Sequence, residues 1–153
     1  MISSHHVSLA RPGDAQQIAT MSRDFIEYGL GWKYTPARIL HCLRDPSVNV
    51  AVTREHGCLT GFAIMKYADE EAHLILVAVD AAHRRRGVGA ALLAWLEATA
   101  RTAGIGVIRL EARTRNAAAR AFYRRHGYVE TGILAGHYRG IEDGVRIARD
   151  LWA

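Results

Sequence analysis

The residues best suited to chemistry lie near the middle of the chain, where an apolar run meets a basic turn that contains glycine. Residues 74–79 are apolar and rich in β-branched side chains, which predicts a β-strand. A strongly basic turn, 80–86, follows, and Gly87 and Gly89 then begin a segment whose apolar residues recur at helical spacing. These apolar residues are Val88, Leu92, Leu93 and Leu96.

This order of strand, basic turn and helix predicts a site for a phosphorylated anion. The first turn of a helix has unpaired backbone N–H groups and the positive end of the helix dipole, and both attract anions. Glycine lets a phosphate approach the backbone because it has no Cβ. Arg84, Arg85 and Arg86 add positive charge at the mouth of the turn, so we interpret the stretch as a cradle for a diphosphate.

Three kinds of phosphate-binding loop compete for this stretch. A P-loop requires GxxxxGK followed by Ser or Thr, which the sequence lacks. A dinucleotide fingerprint requires GxGxxG directly after the strand, with an acid such as Glu111 for the ribose, but here Leu92 occupies the third glycine position and residues 80–86 intervene. The third kind is an Arg-x-x-Gly-x-Gly turn, which residues 84–89 match. A tight turn without a ligand is the structural alternative.

Composition favours one globular domain that spans residues 1–153. Half of the residues are apolar and 23% are charged, which is typical of soluble proteins. The net charge of +5 favours attraction to anions: a phosphorylated cofactor, nucleic acid or a ribosomal surface. The basic residues lack interleaved aromatic residues, so the sequence disfavours nucleic acid as a partner.

The sequence predicts a cytoplasmic protein that does not contact a membrane. It has no signal-peptide pattern and no run near the ~20 apolar residues that cross a bilayer. Cys42 and Cys58 form neither a CxxC motif nor a disulfide framework. The eight histidines show no ligand spacing, so we expect them to be structural or surface residues and expect no metal site.

The remaining elements follow from hydrophobic periodicity and stop signals. Further strands are predicted at residues 7–10, 48–53, 59–67, 107–112, 128–134 and 145–152. Helices are predicted from an Asp14 N-cap to about 28, from a Thr35 N-cap to about 44, from Gly87 to a stop at Gly104, and over 117–125. This order predicts an α/β domain with one mixed sheet and helices on both faces.

A second motif lies in residues 110–128, LEARTRNAAARAFYRRHGY. A strand ends in an acid, an asparagine begins a helix, and a tyrosine late in that helix precedes a glycine and an aromatic residue. Together with residues 77–93, VAVDAAHRRRGVGAALL, this motif resembles the cofactor domain of the GNAT acetyltransferases. The resemblance covers most of the C-terminal half and implies an acetyl-CoA-binding region at about 74–128. It also implies the GNAT fold, a mixed and mostly antiparallel sheet of about six to seven strands.

Within that superfamily the chain is similar to the bacterial enzymes that acetylate the N-terminal alanine of a small-subunit ribosomal protein. It shares the patterns AVD, RRxGxG, LExR and NAAA, and an acidic pair, 142–143, ahead of the last strand. It departs from them in residues 135–138, where Tyr138 stands alone instead of beside a second tyrosine, in the shorter loop before residue 142, and in residues 28–34, which do not match. These departures lie where acceptor specificity is set.

The resemblance implies roles for an acid and a tyrosine in acetyl transfer to an amine. Glu111 would be the general base, directly or through a water, and a modest base suffices because an α-amine has a pKa of about 7.7–8.0. The alternative for Glu111 is a solvated strand-end carboxylate paired with Arg109 or Arg113. Tyr123 would be the general acid for the departing thiolate, while Phe122 fills the core.

The resemblance also implies how acetyl-CoA would bind. Backbone groups of residues 77–79 would bind the pantetheine where neighbouring parallel strands diverge, and an N–H near Val79 would stabilise the oxyanion. Asn116 would hydrogen-bond the pantetheine, act as an ordinary N-cap, or do both. The expected cofactor-binding residues are Val77, Ala78, Val79, Arg84, Arg85, Arg86, Gly87, Val88, Gly89, Ala90, Asn116 and Tyr123.

The function implied is an acetyl-CoA-dependent N-acetyltransferase whose acceptor is a protein or peptide α-amine. A small amine, such as a polyamine, an amino acid or an antibiotic, is the alternative acceptor. A non-catalytic acyl-CoA-binding module is the alternative from another class, and the presence of both Glu111 and Tyr123 disfavours it. The oligomeric state stays open, a homodimer included.

Overall fold

Seven β-strands form the frame of the molecule in the computed structural model, which describes residues 5–153. They are β1 (Val7–Leu9), β2 (Val48–Glu55), β3 (Cys58–Tyr67), β4 (Glu71–Val79), β5 (Val107–Arg113), β6 (Val129–Tyr138) and β7 (Glu142–Asp150). They make one sheet in the order β1-β2-β3-β4-β5-β7-β6, in which only the central pair β4–β5 is parallel. The predicted α/β class, with a mixed and mostly antiparallel sheet, is confirmed.

Helices cover both faces of this sheet, as predicted. They are α1 (Ala15–Phe25), α2 (Pro36–Arg44), α3 (Val88–Thr102) and α4 (Ala117–Arg125). The α1–α2 side is built on a buried cluster that includes Ile18, Ile39, Phe62 and Ile64. The α3 side is built on a second buried cluster that includes Met65, Leu92, Leu96 and Ile108. Residues 62–65 of β3 thus contribute to both clusters, because successive side chains of a strand point to opposite faces.

The first helix is shorter than predicted, and its start is not capped as predicted. α1 ends at Phe25 instead of about residue 28, because its last turn closes on the Ser22 carbonyl and the chain then leaves the helix. Asp14 makes no side-chain cap. Its carboxylate instead binds Arg54 of β2, with Oδ1 2.7 Å from Nη1, and this hydrogen bond lowers the pKa of Asp14.

The other helices follow the prediction. Thr35 caps α2, since its Oγ1 accepts a hydrogen bond from the Arg38 N–H at 3.4 Å. Gly104 lies just after α3 with a φ of +81°, which suits a glycine stop. α4 spans the predicted residues 117–125. Within residues 5–153, no helix combines the length and the apolar character that a membrane crossing requires.

The last hairpin extends further towards its turn than predicted. β6 runs to Tyr138 instead of 134, and β7 begins at Glu142 instead of 145, because these two residues pair across the turn after an irregular stretch. The Asp143 carboxylate stabilises that stretch by accepting a hydrogen bond from the Gly136 N–H at 2.8 Å. The hairpin therefore projects beyond the sheet, at the same edge as the end of β5.

The parallel pair β4–β5 separates after only three residue pairs. Residues 71–73 pair with 107–109, and no pairing between the two strands continues beyond them among the described residues. β4 goes on along β3 to residue 79, while β5 goes on along β7 to residue 113. The sheet is therefore open beside residues 74–79, and the predicted divergence of the parallel strands is present.

Candidate active site

A cleft of about 1180 Å³ lies over the end of β4, between α3 and α4. Its walls include the predicted cofactor-binding residues Val77, Ala78, Val79, Arg84, Arg85, Gly87, Val88, Gly89, Ala90, Asn116 and Tyr123. Arg86 is the exception, since it does not line the cleft. Its carbonyl accepts a hydrogen bond from His5 Nε2 at 2.6 Å. The structure thus brings all but one of the predicted cofactor-binding residues to a single cleft.

The turn that precedes α3 keeps the N-terminus of that helix accessible. Gly87 caps α3 with a φ of +83°, a conformation that favours glycine. A Cβ on Gly89 would lie 3.3 Å from two ring atoms of Phe122, so a side chain there would press on that ring. The first N–H groups of the helix, at residues 88–90, have no acceptor within the helix and line the cleft. This end of α3 can therefore bind an anion.

Arg84 lies across the end of β4 and not at the mouth of the turn. Its Nε donates a hydrogen bond to the Val79 carbonyl at 3.3 Å, and its guanidinium lies 5.1 Å from the ring centre of Phe25. We predicted that Arg84, Arg85 and Arg86 all add positive charge at the mouth of the turn. Of the three, Arg85 fits this prediction best, because it lines the cleft.

A smaller cavity of about 120 Å³ occupies the opening between β4 and β5. Its walls include residues 74–77 of β4, residues 110–113 of β5, and Tyr138. Asn116 and Tyr123 line this cavity as well as the larger cleft, so the two spaces meet at these side chains. Within residues 5–153, no three His, Cys, Asp or Glu side chains are placed to hold a metal ion.

Glu111 is held in the smaller cavity as a largely buried carboxylate. Its Oε1 accepts a hydrogen bond from His73 Nε2 at 2.6 Å, and its Oε2 accepts one from Arg109 Nη1 at 3.1 Å. The hydrogen bond from His73 lowers the pKa of Glu111, against the opposing effect of burial, and the charge of Arg109 adds to the lowering. Glu111 is therefore ionised at neutral pH. Pairing with Arg109 was one of the predicted alternatives, but the side chain is only 14% exposed and is not solvated.

His73 is a site residue that the sequence analysis missed, because we assigned all histidines to structural or surface positions. The sheet register explains its place: His73 lies opposite Arg109 in the parallel pair, and Glu111 is two residues further along β5 on the same face. A histidine on β4 was therefore a candidate partner for Glu111, but only once the register of the two strands was known.

Tyr123 is buried where the two cavities meet. Its ring is 7% exposed and packs edge-on against Phe122 and Tyr128, with ring centres 5.1 and 5.6 Å away. Burial raises the pKa of Tyr123, so its hydroxyl stays protonated at neutral pH. The expectation that Phe122 takes the core position is wrong, since Phe122 is only partly buried and lies against Gly89. Asn116 is the predicted N-cap of α4, with Oδ1 accepting the Ala119 N–H at 3.1 Å.

Arg113 connects three parts of the chain around the smaller cavity. Its guanidinium is buried at the end of β5 and donates to the carbonyls of Ile26 and Tyr28 at 2.6 and 2.8 Å. It also pairs with Glu142 of β7 at 2.8 Å and lies 4.1 Å from the ring centre of Tyr28. Sequence analysis missed this role, which links β5 to the segment after α1 and to the last hairpin.

Tyr138 closes the smaller cavity from the side of the hairpin. Its ring lies against Gly144, where a Cβ would come within 3.1 Å of it. Burial, together with the negative charge of Glu111, raises the pKa of Tyr138 to about 12. The ionised carboxylate of Glu111 therefore shares the cavity with the phenols of Tyr123 and Tyr138, which keep their protons at neutral pH.

Comparison with known proteins places this arrangement in a family. The sequence profile of the acetyltransferase (GNAT) family matches residues 16–128. The [ribosomal protein bS18]-alanine N-acetyltransferase of Escherichia coli strain K12 is 36% identical over 97 residues, which are 61% of this chain and 66% of that protein. The match therefore spans slightly less than two thirds of the length of that relative.

Two further comparisons cover more of the chain. The N-alpha-acetyltransferase RimI of Mycobacterium tuberculosis is 32% identical over 130 residues, which are 82% of this chain and 79% of that protein. The crystal structure of Ard1 from Thermoplasma volcanium superposes with a TM-score of 0.85 at 30% identity, over 97% of this chain and 98% of that one. These similarities confirm the family and the fold that the sequence motifs indicate.

Replacement of Arg113 by leucine should strongly destabilise the protein. The variant leaves the carbonyls of Ile26 and Tyr28 without their donor and removes the buried partner of Glu142, a kind of loss that costs about 3–5 kcal/mol. The free energy of unfolding, measured by urea denaturation, checks this.

The matched control is Arg115→Leu, because Arg115 pairs with the same Glu142 carboxylate but its side chain is 70% exposed. We expect this variant to lose only about 0–1 kcal/mol. Equal losses for the two variants would contradict the anchoring role of Arg113.

Proposed function

The chain belongs to the acetyltransferase (GNAT) family, and on that basis we propose that it transfers the acetyl group of acetyl-CoA to the α-amine of a protein or peptide. The relatives named for alanine N-acetylation of ribosomal protein bS18 support a ribosomal-protein N-terminus as the acceptor, which would place the reaction in the cytoplasm. The observation that carries the proposal is the meeting of two cavities at Tyr123, one of them holding the ionised Glu111.

The larger cleft offers the groups that acetyl-CoA requires. The N–H groups in the first turn of α3, which have no acceptor within the helix, and the nearby Arg85 are suited to its diphosphate. The pantetheine arm carries amides, and residues 77–79 line the cleft at the opening of the sheet, where backbone groups that are not paired with β3 can bind them; the Val79 carbonyl already accepts a hydrogen bond from Arg84. Asn116 can contribute beyond its capping bond, because it lines the same space and its side-chain amide has an NH2 donor besides the oxygen that caps α4. Acetyl-CoA supplies the activated acetyl thioester.

Glu111 is the proposed general base. The acceptor amine enters the smaller cavity, where the Glu111 carboxylate takes a proton from the ammonium group, directly or through one water, and frees the nitrogen lone pair. The nitrogen then forms a bond to the thioester carbonyl carbon. His73 and Arg109 support this role because they fix the carboxylate and keep it ionised.

Tyr123 is the proposed general acid. When the C–S bond breaks, the thiolate sulfur takes the phenolic proton of Tyr123. The attacking nitrogen gives up its second proton, which restores the phenol of Tyr123, and Glu111 releases its proton to water, so that the products are the acetylated amine and the free thiol. Burial raises the pKa of Tyr123, so the phenol is protonated at neutral pH and has a proton to donate when the C–S bond breaks. A backbone N–H near Val79 is the proposed donor to the oxygen that becomes negative in the tetrahedral intermediate.

A thiol-release assay tests the proposal. The protein is incubated with acetyl-CoA and either a peptide that begins with alanine or a panel of small amines, and mass spectrometry locates the acetyl group. We expect thiol release that depends on the peptide, with the acetyl group on the α-amine. Release with small amines alone would replace the protein acceptor by a small amine. Binding of acetyl-CoA without transfer to any acceptor would contradict the enzymatic proposal.

Replacement of Tyr123 by phenylalanine should slow transfer and leave acetyl-CoA affinity nearly unchanged. The variant removes only the hydroxyl, and general acid catalysis contributes about 10²–10⁴-fold to a rate. The kcat of the variant and its acetyl-CoA Kd from calorimetry check this. Tyr67→Phe is the control, since the Tyr67 hydroxyl accepts a bond from Asn49 on β2, remote from both cavities. An unchanged kcat for Tyr123→Phe would remove Tyr123 as the acid.

Replacement of His73 by leucine should make activity more sensitive to acid. Without the His73 hydrogen bond, burial dominates and the pKa of Glu111 rises, so the carboxylate is protonated at higher pH. The deficit in kcat/KM relative to the wild type should therefore grow as the pH falls from about 8 to about 5.5.

A pH profile of kcat/KM for the peptide measures this effect. His41→Leu serves as control, since His41 is exposed on α2 and is expected to leave the profile unchanged. A deficit of His73→Leu that is equal at all pH values would mean that His73 does not control the ionisation of Glu111.

A further inference from the structure

The segment between α1 and α2 is attached to the rest of the molecule through alternate carbonyl groups. Arg113, at the end of β5, donates to the carbonyls of Ile26 and Tyr28. Arg139, in the turn between β6 and β7, donates to the carbonyl of Leu30. Two arginines from different parts of the sheet therefore hold one short stretch of backbone, residues 26–30.

The contact between Arg139 and Leu30 depends on the local backbone of both partners. Arg139 has a φ of +57°, an unfavourable conformation for arginine that directs its side chain towards the segment. Gly31 has a φ of +84°, and a Cβ on it would overlap the Arg139 guanidinium. A Cβ on Gly136, near the end of β6, would lie 3.4 Å from the Cα of Gly140 in the turn, so the hairpin is tightly closed there. The contact therefore depends on the positive φ of Arg139 in the turn and on the absence of a side chain at Gly31 in the segment.

The segment is also organised from within. The Glu27 carboxylate accepts the N–H groups of Lys33 and Tyr34, at 2.7 and 3.2 Å, and the hydroxyl of Ser22 at 2.8 Å. The Trp32 indole N–H donates to the Ala19 carbonyl at 3.1 Å. The segment therefore keeps its own shape, and Arg139 joins it to the β6–β7 turn.

The separation of the segment and the hairpin bears on the site because both contribute to the wall of the smaller cavity. Ile26 and Tyr28 line it from the segment, and Tyr138, the last residue of β6 and the neighbour of Arg139, lines it from the hairpin. Glu111 lines the same cavity. An amine that reaches Glu111 by this route must pass between the segment and the turn that Arg139 joins.

We propose that Arg139 is a positioning residue for the acceptor: its hydrogen bond to the Leu30 carbonyl sets the separation of the two walls and thereby the fit of the acceptor beside Glu111. This inference rests on the proposed acetyl transfer at Glu111. It assigns to Arg139 no contact with acetyl-CoA, whose cleft it does not line. Its effect should therefore appear in the KM of the acceptor and not in the affinity for acetyl-CoA.

The test uses Arg139→Gly and Arg139→Lys in the full chain. Glycine suits the φ of +57° and removes only the side chain, whereas lysine keeps a donor and the charge. With a peptide that begins with alanine as acceptor, we expect Arg139→Gly to raise the acceptor KM by roughly three- to tenfold, the scale of one lost hydrogen bond. We expect Arg139→Lys to recover part of that loss, and the acetyl-CoA Kd to stay unchanged in both variants.

Two controls separate this effect from general ones. His56→Gly places a glycine at another position with positive φ, 54°, in the exposed β2–β3 turn. Arg101→Ala removes one positive charge from the exposed end of α3. Both are expected to keep the acceptor KM of the wild type. An Arg139→Gly variant with a wild-type acceptor KM would overturn the proposal.

Gly31→Ala provides a second, independent measurement. The added Cβ displaces the Arg139 guanidinium, so this change and Arg139→Gly should be non-additive in acceptor KM when combined. Amide hydrogen exchange of residues 29–34 should be faster in Arg139→Gly than in the wild type, and this readout does not need activity. Fully additive effects, or unchanged exchange, would also overturn the proposal. Absence of peptide acetylation by the wild type would instead contradict the proposed function itself.

Discussion

The early separation of β4 from β5 is the constraint on which the rest of the structure depends. Three residue pairs, between 71–73 and 107–109, hold β4 and β5 together. Beyond them, in the part of the chain that the structure describes, β4 pairs only with β3 and β5 pairs only with β7. Buried N–H and C=O groups that lack a partner are costly, so such an opening in the middle of a sheet favours a ligand or water that can bind them. The opening thus turns the centre of the sheet into a binding surface, and α3 and α4 form the walls of the larger cleft beside it.

An open sheet requires other contacts to hold its two halves, and Arg113 supplies several of them. It lies at the end of β5, where it joins the segment after α1 to Glu142 of β7. Because the guanidinium is buried, its charge needs the carboxylate and the carbonyls together, and the arrangement is therefore specific in geometry. Arg139 joins the same segment from the hairpin turn. The smaller cavity is thus enclosed by parts of the chain that are distant in sequence.

The sequence could predict features that depend on contacts between residues close in sequence, but not those that depend on contacts between residues distant in sequence. The phosphate-type turn and the start of α4 are local: Gly87 and Asn116 adopt their conformations within a few residues of the helices that they cap, and both were predicted. Asp14 was assigned to a local cap, but its carboxylate binds Arg54, forty positions away, because a charged partner on β2 outcompetes the helix N–H groups. His73, Arg113 and Arg139 escaped prediction for the same reason, since their partners are known only once the strand register and the hairpin are known.

Two titratable side chains beside this opening differ in protonation at neutral pH: Glu111 is ionised and Tyr123 keeps its proton. Glu111 lies on the face of β5 where His73 and Arg109 reach its carboxylate, so hydrogen bonds and positive charge outweigh burial and the group stays ionised. Tyr123 comes from α4 and is surrounded by Phe122 and Tyr128, so burial dominates and its proton is retained. An environment that favours the charged form and one that favours the neutral form thus meet in a single cavity. A separation of this kind between two titratable groups is what an acid and a base acting in one reaction require. It arises here because one group belongs to the opened sheet and the other to the helix packed over it.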